Sequence, residues 1–394
     1  MHSIQLHYTL EPPTDSGVPP LGPSSVQEGH RAELRHPLMA LLQSVALHGS
    51  ISAAARELGL SYRHVWGELK RWETSLGQSL IVWEKGQSAR LTEFGTKLMW
   101  AERQTQARLA PHIQALRADL ERTFAIAFDP QAHVLTCYAS HDAALSQLQG
   151  TAAGQGLHLD LRFCGSVDAI RALNEGRCLI AGFHVPLQPQ ADSLSARTFR
   201  PLLQPGKHKL IGFADRSQGL MVPAGNPLGL DTLARVSQQR ARLALRDKGS
   251  GTRLLFDAMA SEAGLTLSDF ELTAQEEPSH LACAVAVAAG QADVALGIAS
   301  AAREQGLDFV PLDQERYYLV CLKSAIESPA LQALRQLLLQ ANWQQQLMQL
   351  PGYQVVQAGQ VQSLRTELPW WQLRPKKMRQ AGRVAPSGAL ATPS

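Results

Sequence analysis

The chain has 394 residues, more than one hydrophobic core of ordinary size can serve, so two or three domains are expected. Hydrophobic residues make up 45% and the formal charge is only +3, which excludes a disordered polyelectrolyte and leaves nucleic-acid binding unproven by charge alone. The five cysteines show no zinc-ligand spacing, and the most apolar run, residues 281–289, is shorter than the roughly 18 residues a membrane span needs, so a reducing cytoplasm is the expected setting, with no metal and no organic cofactor.

Residues 1–30 hold Pro12, Pro13, Pro19, Pro20 and Pro23 among glycine and serine, a composition that cannot build a packed face, and are expected to be disordered. A helical domain over 31–124 follows, with a modest basic excess: 13 Lys+Arg against 9 Asp+Glu over 31–122. Leu38, Leu41, Leu42 and Val45 recur at helical spacing up to Gly49. Ser52 is placed to cap a short helix over 53–58, where Ala54 and Ala55 let a second helix approach, and Gly59 ends it. Ser61 caps the next helix, in which Val65, Leu69 and Trp72 face inward while Tyr62, Arg63, Trp66 and Lys70 share another face. Two helices joined by a tight turn, the second bearing basic and aromatic side chains outward, suit a major groove. Residues 80–83 and 89–91 can pair as a wing, with Lys85 and Arg90 on phosphates. Ser52, Ser61, Tyr62, Arg63, Trp66, Lys70, Lys85 and Arg90 are therefore the expected DNA-contacting set. Beyond them Leu109, Ile113, Leu116 and Leu120 repeat at 4-3-4 spacing, a seam either between two subunits or within the chain, and Pro111 is expected to start or kink that helix.

From about residue 125 the pattern changes to short strand-like runs, at 133–139, 157–163, 178–184, 243–246, 294–298 and 317–322, alternating with helices. That alternation predicts a parallel α/β sheet and a ligand-binding domain over 125–361. Its strongest chemical signal is a strand running into Gly249, Ser250, Gly251, Thr252 and Arg253. Glycines there allow a tight turn at a helix N-terminus, where N–H groups, two hydroxyls and a guanidinium attract an anion. Ser140 and His141, Ser166, and His184 each follow a predicted strand at its C-terminal end, and His280 precedes a helix, so all converge on the place where open α/β sheets gather ligands. Neither a nucleotide-binding P-loop nor a dinucleotide fingerprint is present. The tail, 362–394, carries Arg374, Lys376, Lys377, Arg379 and Arg383 beside Trp370 and Trp371 and is expected to be basic and disordered.

The stretch from Gly49 to Ser61, with Leu69-Lys-Arg-Trp-Glu73 and Arg90-Leu-Thr-Glu-Phe-Gly95, resembles the N-terminal domain of LysR-type regulators, and Tyr62 and Trp66 look like those of molybdate-responsive ModE repressors. The second half resembles the molybdate-binding-like domains related to periplasmic binding proteins, through Ala139-Ser-His-Asp142, Gly165-Ser166, Ala181-Gly-Phe-His184, Gly249 to Arg253, Ser279-His-Leu281 and Ala292-Asp-Val-Ala-Leu-Gly297. The resemblance implies a multidomain fold: an α-helical winged helix-turn-helix plus an α/β two-lobed, type II periplasmic-binding-protein-like domain. Lobe one would be 131–218 and 317–355, lobe two 219–316, with a hinge near Leu220 and Tyr317. It further implies a homodimer on double-stranded DNA, and a one-component transcriptional regulator sensing a small anionic ligand. Molybdate or tungstate, or a molybdopterin-related metabolite, fits such a pocket. No nucleophile–base pair marks an enzyme. A pterin or molybdenum-cofactor accessory or biosynthetic protein acting on an anion in the cleft stays open as the alternative, as does a ligand carrier.

Overall fold

A computed structural model of the chain describes residues 36–83, 88–128 and 133–371. The N-terminal part opens with α1 (Pro37–His48), whose first turn accommodates proline and whose end is closed by Gly49 in the left-handed region at φ 59°. Helix α2 (Ile51–Glu57) then starts, capped by Ser50, whose hydroxyl accepts from the Ala53 N–H at 3.3 Å. This corrects the expected cap, Ser52, which lies exposed inside the first turn of α2. Helix α3 (Tyr62–Leu76) is capped by Ser61 as expected, with the hydroxyl accepting from the His64 N–H at 3.1 Å. Strands β1 (Ile81–Val82) and β2 (Arg90–Leu91) pair antiparallel as the base of the wing. Leu42, Val45, Ala54, Val65, Leu69 and Leu80 form the fully buried centre of this domain. Among the described residues no single helix is long and apolar enough to cross a membrane.

Helix α4 (Glu93–Phe128) runs for 36 residues from the wing to the second half, and Pro111 lies inside it without ending it. One face of α4, including Gln104, Ala107, Pro111 and Ala118, is buried. Part of that face packs on the second half, where Ala107 meets Ala282 and Val285.

The second half begins with β3 (His133–Ala139), α5 (Ala143–Ala153), β4 (Leu157–Phe163), α6 (Ser166–Asn174), β5 (Ile180–Pro186) and α7 (Leu194–Phe199). It continues with β6 (His208–Val222), α8 (Leu233–Gln238), β7 (Arg242–Ala244), α9 (Gly251–Glu262), β8 (Glu271–Leu272), α10 (His280–Ala288), β9 (Val294–Ile298), α11 (Ala299–Glu304) and β10 (Asp308–Leu322). Helices α12 (Pro329–Leu339) and α13 (Ala341–Met348), strands β11 (Tyr353–Gln354) and β12 (Val361–Ser363), and α14 (Leu364–Glu367) complete it. The sheet order is β4-β3-β5-β10-β6-β9-β7-β8. It is not purely parallel: β3 pairs parallel with β4 and β5, and β7 with β8 and β9, but β6 and β10 run antiparallel to each other and to β5 and β9.

The two long strands account for this. β6 and β10 each span 15 residues and serve both flanks of the sheet, one half in each lobe. β10 pairs with β5 over residues 315–320, while β6 pairs with β9 over 218–221, so the crossing falls at about 215–218 and 313–317. A register irregularity in the pair lies between Tyr317 and Tyr318, beside the predicted hinge. The chain after α13 returns to lobe one, where β11 and β12 both pair with β6. The tail expected to be disordered from 362 is therefore folded as far as 371: Trp370 is 2% exposed and stacks on Phe199 at 6.4 Å.

Candidate functional site: a helix face for DNA and a closed cleft between lobes

On α3, Tyr62 and Arg63 are exposed near the N-terminal end, with Trp66 half-buried and Lys70 exposed one and two turns on. Tyr62 stacks on Trp66 (6.4 Å between centroids, 7° between planes) and the Lys70 ammonium lies 4.8 Å above the Trp66 ring. Trp83, which the sequence pattern did not single out, packs edge-on against Trp66 at 5.9 Å and ties the end of β1 to α3. Glu73 reinforces the tie, accepting from the Leu80 and Ile81 N–H groups at 2.8 and 3.2 Å and pairing with Lys70 at 2.6 Å. Burial opposes ionisation of Glu73, but these donors outweigh it and hold the carboxyl below its ordinary range. Arg90 is exposed on β2, and Lys85 lies outside the described residues. Ser61, Tyr62, Arg63, Trp66 and Lys70 thus share one helix, whereas Ser52 sits on α2.

The second site lies between the lobes. Ser140 and His141 follow β3, Ser166 opens α6 after Gly165, and His184 lies on β5, all in lobe one. Lobe two faces them with Gly249 to Thr252 at the start of α9 and His280 at the start of α10. The lobes meet: a Cβ on Gly165 would stand 2.5 Å from the Gly249 carbonyl oxygen, and one on Gly251 would stand 3.3 Å from Nδ1 of His184. Two open grooves lie elsewhere, one between α4 and lobe two and one beside Pro205 and Arg365.

Seven buried polar atoms around this contact have no hydrogen-bond partner: Ser140 Oγ, Ser166 Oγ, both ring nitrogens of His184, Nδ1 of His280, Gln218 Oε1 and the Tyr317 hydroxyl. Leaving a buried polar atom unpaired costs about 1–3 kcal/mol, so a cluster of them marks a place that a polar ligand completes. Gln218 and Tyr317 come from the crossing strands and escaped the sequence reading. The one available signal was a run of polar residues, Asp215 to Gln218, in an otherwise apolar stretch.

The charge at this site comes from a different arginine than expected. Arg253 is turned away, its guanidinium bonded to Asp257 at 3.1 Å and Glu276 at 2.7 Å, while the Ser250 hydroxyl accepts the cap bond of α9 and keeps its own O–H to donate. The Arg253 guanidinium is therefore engaged elsewhere, and the backbone of Gly249 to Thr252 and the Ser250 hydroxyl stay at the cleft. Arg246, three residues before Gly249, is 4% exposed and is held by two carbonyls, Glu277 O at 3.1 Å and Pro278 O at 3.0 Å. No carboxylate lies within ion-pair distance of it among the described residues. Arg216, also buried, differs, being paired with both Asp142 and Glu315. Burial, then the positive charge of Arg246, takes His141 down to about 4. Burial with Arg216 and Arg246 holds His184 and His280 well below the ordinary histidine range. The three rings are neutral at pH 7, and Arg246 lies beside them as a cation without an ion-pair partner, with Asp247 and Glu277 acting on it only from a distance. Thr252 completes the floor, its hydroxyl accepting from Gln218 Nε2 at 3.1 Å.

Residues 37–96 match the model of the bacterial regulatory helix-turn-helix proteins of the lysR family, and residues 147–339 match the PBP superfamily domain. The uncharacterized protein YvgK of Bacillus subtilis (strain 168) is 28% identical over 200 residues, which cover 51% of this chain and 64% of that protein. An uncharacterized protein from the 5' region of the ferredoxin 2Fe-2S gene of Clostridium pasteurianum is 36% identical over 84 residues, 21% of this chain and 74% of that one. Among solved structures, a Corynebacterium glutamicum OxyR mutant is 18% identical and superposes with a TM-score of 0.38, covering 77% of this chain and 91% of that one. The superposition is loose, and the assignment rests on the two family models. The chain therefore carries a helix-turn-helix domain of the bacterial regulatory lysR type over residues 37–96 and a PBP superfamily domain over 147–339.

Proposed function

We propose that this transcriptional regulator acts in the cytoplasm as a homodimer whose operator affinity is set by a compact oxyanion enclosed between the two lobes. The observation that carries the ligand class is Arg246, a buried guanidinium with no carboxylate bonded to it, near enough to add to burial in keeping His184 and His280 neutral, in a cleft where the hydroxyls of Ser140, Ser166 and Tyr317 are unpaired. Donors of that kind suit an anion, and the neutral rings add hydrogen bonds without adding charge. The N–H groups of Gly251 and Thr252 at the start of α9 have no acceptor one turn back in the helix and point the same way. Contact between Gly165 and Gly249 favours molybdate or tungstate over a molybdopterin-sized metabolite. An accessory or biosynthetic enzyme of the pterin or molybdenum-cofactor kind would need a nucleophile or a paired acid and base, and the cleft offers neutral histidines without one.

The dimer reading rests on α4. Leu109, Ile113 and Leu120 lie two residues on from Ala107, Pro111 and Ala118, and Leu116 two residues before Ala118, each roughly 160–200° round the helix from that buried residue. Leu116 is 59% and Leu120 38% exposed. The test is a gel shift with the DNA upstream of its own gene, in rising salt, with and without molybdate, tungstate, sulfate or phosphate. Replacing Arg63 and Lys70 together by Ala abolishes DNA binding while the thermal shift produced by the active anion persists. A wild-type protein that retards no DNA under any of these conditions overturns the reading.

A further inference from the structure

The segments that line the cleft are also the segments that hold α4. On lobe two, Glu277 receives a bidentate pair from Arg108 of α4, at 2.9 and 2.7 Å, while its own carbonyl and that of Pro278 hold Arg246. Two residues on, the Ser279 hydroxyl donates to the Ala107 carbonyl at 3.4 Å, and the next residue, His280, faces the cleft. On lobe one, Nε2 of His141 and Oε1 of Gln114 lie 3.0 Å apart, and Ser146 donates to the same oxygen at 3.4 Å. Arg108 and Gln114 are six residues apart, about 9 Å along one rigid helix. We propose that α4 is a clasp: it pins lobe two through Arg108, with Arg103 and Gln104 beside it, and lobe one through Gln114, with Asp119 and Arg122 bonded to Arg162 and Asp160 of β4, fixes their separation, and carries any lobe movement straight to the DNA-binding arm.

The chain itself crosses between lobe one and lobe two at β6 and β10, a two-strand crossing of the kind that bends. A helix bonded to both sides of the cleft is compatible with one lobe spacing only. Glu277 is 2% exposed, so its carboxylate is buried whether or not Arg108 reaches it, and losing the arginine leaves an unpaired buried charge. The helix is thereby fastened to the very loop whose carbonyls position Arg246. Displacement of Arg246 by an anion moves the Glu277–Pro278 carbonyls, and Arg108 moves with them. This ligand half of the inference rests on the reading of the cleft as an anion site; the clasp itself does not.

Hydrogen–deuterium exchange on the full chain separates the two. In Arg108→Met, which removes the ion pair fastening α4 to the Glu277 loop of lobe two, uptake at lobe-one residues 163–168 on the cleft face rises by about threefold or more, because the lobes part. In Gln114→Ala with Asp119→Ala, which removes the α4 side chains that bond His141, Ser146 and Arg162 of lobe one, uptake rises at lobe-two residues 247–254. Since the second variant leaves the buried carboxylate paired, it keeps the test alive if the first fails to fold. Changes confined to the neighbourhood of each substitution, 104–111 with 276–282 or 112–116 with 140–146, overturn the clasp. For the ligand half, molybdate, tungstate, sulfate and phosphate are compared on wild type and variants by thermal shift and gel shift. The expected result is an anion that stabilises all of them but changes DNA affinity in the wild type alone. An anion that alters DNA affinity of wild type and variants by the same factor overturns the coupling. If none of the four stabilises the wild type, the cleft reading fails while the exchange result still decides the clasp.

Discussion

At the scale of single residues, the two buried arginines of the sensor make opposite predictions. Arg216 is locked between Asp142 and Glu315, and Asp142 also accepts from Tyr353 and caps α5. Removing its charge leaves two buried carboxylates unpaired, so Arg216→Met is expected to cost roughly 3–5 kcal/mol of stability. Arg246 has no such partner, and burial lowers its readiness to stay charged. Arg246→Met therefore leaves the anion-free protein as stable as wild type or more so, and abolishes the thermal shift with anion. Denaturant unfolding of both variants checks the pair; a large loss of anion-free stability on Arg246→Met, with anion stabilisation retained, contradicts the assignment. Chain position does not distinguish these two residues. Arg246 stands next to the glycine-rich turn that draws attention to Arg253, and only the fold reveals that Asp257 and Glu276 neutralise Arg253.

At the scale of elements, the approach of the two helix-opening turns sets how tightly the cleft can shut. Gly165 precedes α6 and lies against the Gly249 carbonyl, a backbone atom that cannot rotate aside. Gly165→Ala acts as a wedge. Overpacking of this kind costs about 1–3 kcal/mol, which appears as a roughly 10- to 100-fold weaker anion affinity, with DNA binding in the absence of anion unchanged. Titration calorimetry reads the first and gel shift the second; an unaltered anion affinity contradicts closure at this point. The elements themselves were legible where local pattern decides them. The buried stripe of α1, the Ser61 cap, and strands β3, β4 and β9 fall where periodicity and turn residues put them. Two were not. Strand β6 carries Asp215, Arg216, Ser217 and Gln218 at its centre, which reads as a polar break. It is a strand because Glu315 and Arg316, about a hundred residues later, pair across with Arg216 and Asp215. Likewise the start of the C-terminal tail reads as unstructured, yet Leu364, Leu368 and Trp370 fill the core of lobe one against Phe199 and Tyr318. Such pairings depend on partners that no local window contains.

At the scale of the whole molecule, α4 faces two ways, and that duality decides how a monomeric cleft can act on a two-fold operator. Its inner face, through Ala107, Arg108 and Gln114, grips the sensor of its own chain. Its outer face presents Leu116 and Leu120, apolar side chains left in water at 59% and 38% exposure. In the proposed homodimer a second copy of the same helix would cover them at 3.5-residue periodicity, which would place two α3 helices on successive turns of one face of the DNA. Two leucines introduced as glutamate on facing helices put four like charges in the seam. Leu116→Glu with Leu120→Glu is thus expected to yield a folded monomer by light scattering, with unchanged anion-induced thermal shift because the inner face is untouched. Its operator affinity drops by two or more orders of magnitude, since each half-site is then bound without the effective concentration supplied by its neighbour. If the double variant remains a dimer, the seam lies elsewhere. If it is monomeric but binds the operator as the wild type does, then pairing through α4 is not what aligns the recognition helices.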